Sequence, residues 1–278
     1  MLYLILAIAS SATISLLMRL STDRVKNNIA MLAMNYITCF LLAIGFTGIG
    51  NLFSSSPNLP QTIAMGMIHG TLYLGSFILL NISTQRNGVV LSSIFIKLGL
   101  LVPMVVSILL FGEMPSSVQW LGFAIAVAAM VIINTEPGQK KFSVNWLLIL
   151  LLLGGGSGDA MSKIFEELGD PTLSDPFLLY TFLTALILCL GLMLLKKQKI
   201  GKPEFLFGAL IGIPNFFSAK FLLQSLNYLP AVIVYPTFSV GTILVVTLAG
   251  VLFFKEILNR RQWFALGIIL IALSLLNL

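Results

Sequence analysis

Charge is what this chain has least of. Only 9% of its 278 residues are Asp, Glu, Lys or Arg, against 58% hydrophobic residues, and the mean hydropathy is +1.02. A soluble domain carries about 25% charged residues, so the composition excludes an ordinary soluble fold. Histidine occurs once, as His69, and cysteine twice, as Cys39 and Cys189. One imidazole and two scattered thiols exclude the usual zinc clusters. No nucleophile triad and no phosphate-binding glycine loop is present either. No cofactor and no enzymatic activity are therefore expected. Both cysteines fall in apolar runs, where a free thiol behaves as a small hydrophobe. Polar stretches long enough for a separate soluble domain are also missing.

What fills the sequence instead is hydrocarbon in membrane-length runs. A span needs roughly 20 predominantly apolar residues to cross about 30 Å of bilayer core. That rule predicts helices at 2–20, 29–50, 61–82, 88–111, 117–134, 145–165, 174–195, 203–228, 231–254 and 262–278. The runs are continuous rather than alternating, which excludes a transmembrane β-barrel. The first run lacks a basic flank and a small-residue cleavage site, so it reads as a helix rather than a signal peptide. The expected fold is an all-α polytopic protein of ten transmembrane helices.

Its basic residues are one-sided. Arg19, Arg24, Lys26, Arg86, Lys140, Lys141, Lys196, Lys197, Lys199, Lys202, Lys255, Arg260 and Arg261 all flank loops that follow odd-numbered helices. The even-numbered loops and both termini hold only Lys163, with the acids Glu166, Glu167, Asp170 and Asp175. The positive-inside rule then puts the odd loops in the cytoplasm and both termini outside a cell membrane. The net charge of +6 is thus a topology signal, and no nucleic-acid partner is expected.

The chain also repeats itself. Phe111-Gly112-Glu113, followed by Gln119-Trp120, recurs as Phe254-Lys255-Glu256, followed by Gln262-Trp263, with identical internal spacing. The same offset aligns Val89 with Val232, Phe95 with Phe238 and Asn134 with Asn277. The halves are 1–135 and 144–278, joined by a cytoplasmic linker, 136–143. Five helices per half is an odd number, so the second copy must enter the membrane inverted. Inverted repeats are the architecture of secondary transporters, with substrate held near the midplane between the halves. Ten helices in two such repeats, each with a glutamate at the turn between its fourth and fifth helices, resemble the drug/metabolite transporter superfamily, EamA-type branch. That resemblance implies a transporter of small metabolites with a cavity lined mainly by helices one, three, four, six, eight and nine. It also implies cytoplasmic termini, against which the charges of this chain argue.

Against this apolar background a few polar residues stand out. Lys97 lies about nine residues into the fourth span, roughly 13 Å along it, and Lys220 lies in the eighth. A charge at a span centre costs about 2.5–3.5 kcal/mol on insertion scales, so such a residue usually faces a cavity. Both lysines are candidates to bind an anionic or carboxylate-bearing substrate; the alternative is that each is neutralised by an internal acid or snorkels, and only holds helices together. Asp159, the only aspartate within a span, is the acid expected to pair with Lys220. Asp159 and His69 could relay protons, or His69 could bond a neighbouring helix. The run Gly154-Gly155-Gly156-Ser157-Gly158-Asp159 allows either close helix packing or an unwound stretch. Its G-x-G-D string resembles intramembrane aspartyl proteases, but that chemistry needs two carboxylates, and no second intramembrane aspartate exists. Tyr73, Asn81, Ser93, Asn215 and Tyr235 are further candidate substrate ligands. Pro103, Pro214 and Pro236 interrupt the spans as candidate hinges or gates. Glu113 and Glu256 read as structural residues of the repeat turns.

The expected function is secondary transport of a small polar metabolite, anionic or zwitterionic and amino-acid-like, by alternating access. Its expected partners are the lipid bilayer, the small-molecule substrate, and a proton or counter-substrate for coupling; a monomer or homodimer is expected. A lipid-phosphate or lipid-linked sugar translocator is the alternative within transport. A membrane enzyme or a non-transporting scaffold subunit is the alternative outside it.

Overall fold

A computed structural model of the protein describes residues 1–48, 56–87, 92, 95–134, 146–255 and 260–278. Among these residues the secondary structure is ten α-helices, two short 3-10 turns and no strand. The helices are α1 (Leu2–Ser21), α2 (Asn28–Thr47), α3 (Leu59–Asn87), α4 (Phe95–Phe111) and α5 (Ser117–Asn134). They continue as α6 (Trp146–Leu168), α7 (Ser174–Leu195), α8 (Lys202–Leu226), α9 (Ala231–Phe254) and α10 (Arg260–Leu276). Each matches one predicted span to within a few residues, apart from the part of 88–111 that lies outside the described residues.

Among the described residues seven helices are long and apolar enough to cross a membrane: α1, α2, α3, α6, α7 (with the turn Pro171–Leu173 before it), α8 and α9. The other three are shorter. The 18 residues of α5 reach about 27 Å and the 17 of α10 about 25 Å, just under the hydrocarbon thickness. The chain is therefore an all-α, multi-pass membrane protein, with ten helices among the described residues.

Residue chemistry explains where helices stop. Gly112 ends α4 in the left-handed region (φ 71, ψ 16), where its N–H bonds the Ser107 carbonyl. Lys255 ends α9 in the same region (φ 54, ψ 35), which glycine adopts far more cheaply than lysine. Pro203 sits in the first turn of α8, where its missing N–H costs nothing.

The helices gather into two compact units, one of residues 1–74 and 164–227 and the other of residues 75–163 and 228–278. The division falls within α3 and within α6. In the first unit, Gly208 and Gly212 of α8 press on Met31, Met34, Asn35 and Thr38 of α2. Likewise Gly66 and Gly70 of α3 press on Phe177, Tyr180, Thr181 and Thr184 of α7. Each is a small-xxx-small seam. Apolar surface gains nothing by leaving lipid, so closeness of backbones must supply the attraction. In the second unit Gly122 of α5 meets Leu275 and Leu276 of α10, and α4 crosses α6 glycine on glycine at Gly99 and Gly156.

Candidate functional site

In the first unit several polar side chains bond one another. The Tyr73 hydroxyl donates to Asn215 Oδ1 at 2.9 Å, and Asn215 Nδ2 donates to Asn35 Oδ1 at 3.2 Å. Asn35 and Asn215 are both buried. Two expected substrate ligands, Tyr73 and Asn215, are thus brought together, and Asn35 of α2 completes the chain. His69 is also buried, its ring stacked on Phe177 at 5.2 Å with Tyr73 edge-on at 5.7 Å. Its Nδ1 lies 3.2 Å from Thr181 Oγ1, and that hydroxyl donates its own hydrogen to the Phe177 carbonyl at 2.8 Å. Nδ1 must therefore be the protonated nitrogen, donating to Thr181.

Lys220 is neutralised in this unit too, by a residue the sequence reading placed in a loop. Its ammonium forms an ion pair with Asp175 and stands 4.1 Å over the Phe46 ring. The expected partner was Asp159. Asp175 takes that place because it lies in the first turn of α7, where a helix N-terminus favours a carboxylate. Lys220 and Asp175 line a small pocket of about 200 Å³ with Thr172, Ser174 and Gln224. A larger apolar cavity of about 470 Å³ lies between α1 and α8, lined by Leu6, Ser10, Thr13, Pro214, Phe217 and Phe221. Pro214, expected as a hinge, thus forms part of a cavity wall.

The second unit holds the other two intramembrane charges of the sequence reading and a third that it treated as a flank. Lys163 is 1% exposed and lies well inside α6, because the helix continues to Leu168. Its ammonium is 2.7 Å from Glu113 and 5.8 Å over the Phe111 ring. Glu113 also accepts from Ser107 Oγ at 2.6 Å and from the backbone N–H of Ala231, the first residue of α9, at 2.7 Å. Burial acts to raise the Glu113 pKa, but Lys163, Ser107 and Ala231 together outweigh it and hold the carboxyl below its ordinary 4.5. Glu113 therefore ties the α4–α5 turn to two other helices. Glu256 and Ser93 lie outside the described residues.

Lys97 differs from both other lysines. It is half-buried, and among the described residues no acid and no hydrogen-bond acceptor engages its ammonium. It stands directly before the point where α4 tightens into a 3-10 turn, Leu98–Leu100. Pro103 contributes to that irregularity, since it has no N–H to offer the Gly99 carbonyl one turn earlier. Here α4 runs against α6 at Gly155 and Gly156; a Cβ on Gly99 would lie 2.8 Å from the Gly156 nitrogen. The glycine run of α6 is continuous α-helix and serves as this packing surface, with the Gly154 carbonyl accepting from Ser76 Oγ at 2.5 Å.

Asp159 follows on α6. It too is half-buried, and its carboxylate makes no hydrogen bond or ion pair among the described residues. Its main-chain carbonyl accepts from the Tyr235 hydroxyl at 2.6 Å. Tyr235 and Pro236 are buried on α9. Asn81 is half-buried on α3. Sequence reasoning missed Lys163, Asp175 and Glu204 as buried or paired charges. Glu204, 4% exposed at the start of α8, accepts from the backbone N–H groups of Lys26 and Asn27 at 3.0 and 3.2 Å. Only its place one residue after Pro203 hinted that it opens a helix.

Among the described residues no group of three or more His, Cys, Asp or Glu could hold a metal ion. Comparison with known proteins agrees with a transport fold. A crystal structure covering 94% of its own chain superposes on 99% of this one with a TM-score of 0.73, at 16% identity. An uncharacterised protein of Haemophilus influenzae is 28% identical over 281 residues, spanning 96% of this chain and 93% of that protein. The profile of the EamA-like transporter family matches twice, over residues 1–135 and 142–278. The chain belongs to the EamA-like transporter family, within the drug/metabolite transporter superfamily, and so to a family of transporters rather than enzymes.

Proposed function

We propose that this protein is a secondary transporter that moves a small polar metabolite, anionic or zwitterionic, across the cell membrane by alternating access. Lys97 carries the reading. Of Lys97, Lys163 and Lys220, Lys163 is neutralised by Glu113 and Lys220 by Asp175. Of these three only Lys97 keeps an ammonium unengaged among the described residues, beside an irregular turn in a proline-containing helix. Irregular backbone at membrane depth is tolerated where it lines a cavity, and transporters place substrate at such broken helices. An uncompensated cation there recognises a carboxylate or another small anion.

The two moving parts in this reading are inverted five-helix repeats, 1–135 and 144–278, joined through the cytoplasmic linker 136–143. Several paired features support it. The family profile matches each half. Gly112 and Lys255, aligned by the repeat offset, both end the fourth helix of their half in the left-handed region. At the same offset, Gln61 donates to the Leu168 carbonyl at 3.2 Å while Glu204 accepts from Lys26 and Asn27. The third helix of each half carries a glycine seam onto the second helix of the other. The charge bias orients the whole with both termini outside.

A thermal-shift screen against metabolites of each charge class, on wild type and Lys97→Ala, tests the site. A ligand that binds only the folded state raises the melting temperature. Anionic or zwitterionic hits lost in Lys97→Ala are expected. Cationic hits that survive the substitution overturn the role of Lys97.

A further inference from the structure

Two loops far apart in sequence meet at one end of the first unit. The segment after α1 lies on the first turns of α8. Glu204 accepts from the backbone N–H groups of Lys26 and Asn27, the Arg24 guanidinium stands 6.0 Å over the Phe207 ring, and Val25 packs on Met31, Phe207 and Ile211. The end of α7 is held there too, since the Cys189 thiol donates to the Ile29 carbonyl, near the start of α2, at 3.5 Å. Arg24, Lys26, Lys196, Lys197, Lys199 and Lys202 are thereby gathered at one end of the unit, all of them exposed. Arg19 adds a further charge in the last turn of α1. The acids on these segments are Asp23 and the buried Glu204, whose carboxylate is spent on the loop backbone.

From that basic end an apolar stripe runs along α8. Leu206, Leu210 and Ile213 are spaced by four and three residues, share one helix face, and are exposed. Ile213 lies about 17 Å along the axis from Lys202, close to half of a roughly 30 Å hydrocarbon core. There the stripe enters the apolar cavity between α1 and α8, whose wall continues with Phe217 and Phe221 and includes Thr13 of α1. The Thr13 hydroxyl is already given to the Ala9 carbonyl at 2.9 Å, so it brings no free donor to that wall. A second copy of this chain would set one basic end against another, and a soluble acidic partner would leave the stripe uncovered. A lipid with an anionic headgroup matches both the charge and the stripe.

We propose that this end of the first unit is a binding site for an anionic phospholipid. The basic residues of the two loops hold its phosphate-bearing headgroup. One acyl chain lies along Leu206, Leu210 and Ile213, with its end in the α1–α8 cavity. Clusters of about four to eight Lys and Arg at the end of a span attract anionic headgroups, and each charge adds to the attraction. Glu204 is a positioning residue, which holds the backbone that carries Lys26 against the start of α8. Because both loops give cations to one headgroup, the bound lipid fastens the α1–α2 loop to the α7–α8 loop.

Native mass spectrometry of the intact protein tests this, after release from nanodiscs of equal phosphatidylglycerol and phosphatidylcholine with identical palmitoyl-oleoyl chains. Wild type is expected to retain phosphatidylglycerol at least about tenfold over phosphatidylcholine. Lys26→Gln, Lys199→Gln and Lys202→Gln together are expected to bring the ratio close to one. Lys202→Gln alone, at an exposed helix start, lowers the ratio several-fold and serves if the triple variant does not fold. Lys255→Gln, Arg260→Gln and Arg261→Gln remove as many charges from the second unit and keep the preference. Thr13→Phe, which fills the cavity, lowers the amount of bound lipid several-fold without changing the ratio. Equal retention of the two lipids by wild type, or equal loss of preference in the second-unit triple variant, overturns the site. Undiminished lipid in Thr13→Phe overturns the seating of the chain in the cavity.

Discussion

Lys97, Lys163 and Lys220 lie in helix interiors, and their surroundings give them different work. The buried Lys163 and the half-buried Glu113 form an ion pair whose members depend on each other. Such pairs contribute little net stability, but removing one member strands the other charge and costs about 3–5 kcal/mol. Lys163→Met is expected to lower stability by about that amount, and Lys163→Met combined with Glu113→Gln to recover most of the loss, as read by denaturation in detergent. The pair also sets an acid limit. Glu113 is held below its ordinary 4.5, so its contribution is fully present above that value and is lost as pH falls through the lower, folded value. Melting temperature is therefore expected to fall below about pH 4.5 in wild type more steeply than in Glu113→Gln. Lys97→Ala is the converse case. With no partner among the described residues to strand, it is expected to leave stability unchanged or improved while abolishing binding of carboxylate ligands.

At the scale of the helix, glycine marks where backbones must touch and where they need not. A Cβ at Gly212 would lie 2.5 Å from the Thr38 Cβ and 2.7 Å from the Asn35 carbonyl, so the α8–α2 seam cannot accept one without moving apart. Gly212→Leu is expected to destabilise by about 3 kcal/mol or more, since overpacking of a tight contact typically costs about 1–3 kcal/mol for smaller insertions. Gly191 and Gly267 have nothing within 4 Å of a built Cβ, and Ala there is expected to stabilise by about 0.5–1 kcal/mol. Lys255 offers an independent check at a helix end. Its left-handed conformation costs a non-glycine residue about 1–2 kcal/mol, so Lys255→Gly is expected to raise the melting temperature. An unchanged value would mean that the lysine side chain compensates for the strain. Helix positions themselves were legible from hydropathy, because each span must satisfy its backbone within itself. The glycine partners were not, since many helix pairs could have used the same seams.

For the whole molecule, orientation is the prediction with the largest consequence. In the orientation proposed from the one-sided basic residues both termini lie outside, so a C-terminal alkaline phosphatase fusion is expected to be active and a green fluorescent protein fusion dark. The reverse pattern would invert every statement about which side the linker faces. Lys163 does not weaken the bias, although it is a basic residue among acidic loops. It is buried in α6 and neutralised by Glu113, so it contributes nothing to the charge of a loop.

The linear chain alone made legible an all-α, multi-pass membrane protein, the place of each described helix, and a motif repeated at fixed spacing. Those properties follow from local hydrocarbon content and from spacing, which need no neighbour to be read. Only the tertiary structure decided what each intramembrane charge does. Lys97, Lys163 and Lys220 look alike in sequence, yet two are neutralised by Glu113 and Asp175, residues 50 and 45 positions away, and one is not. Pairing of charges in a low-dielectric interior depends on contact within a few ångströms, and contact between helices is a property of the folded chain.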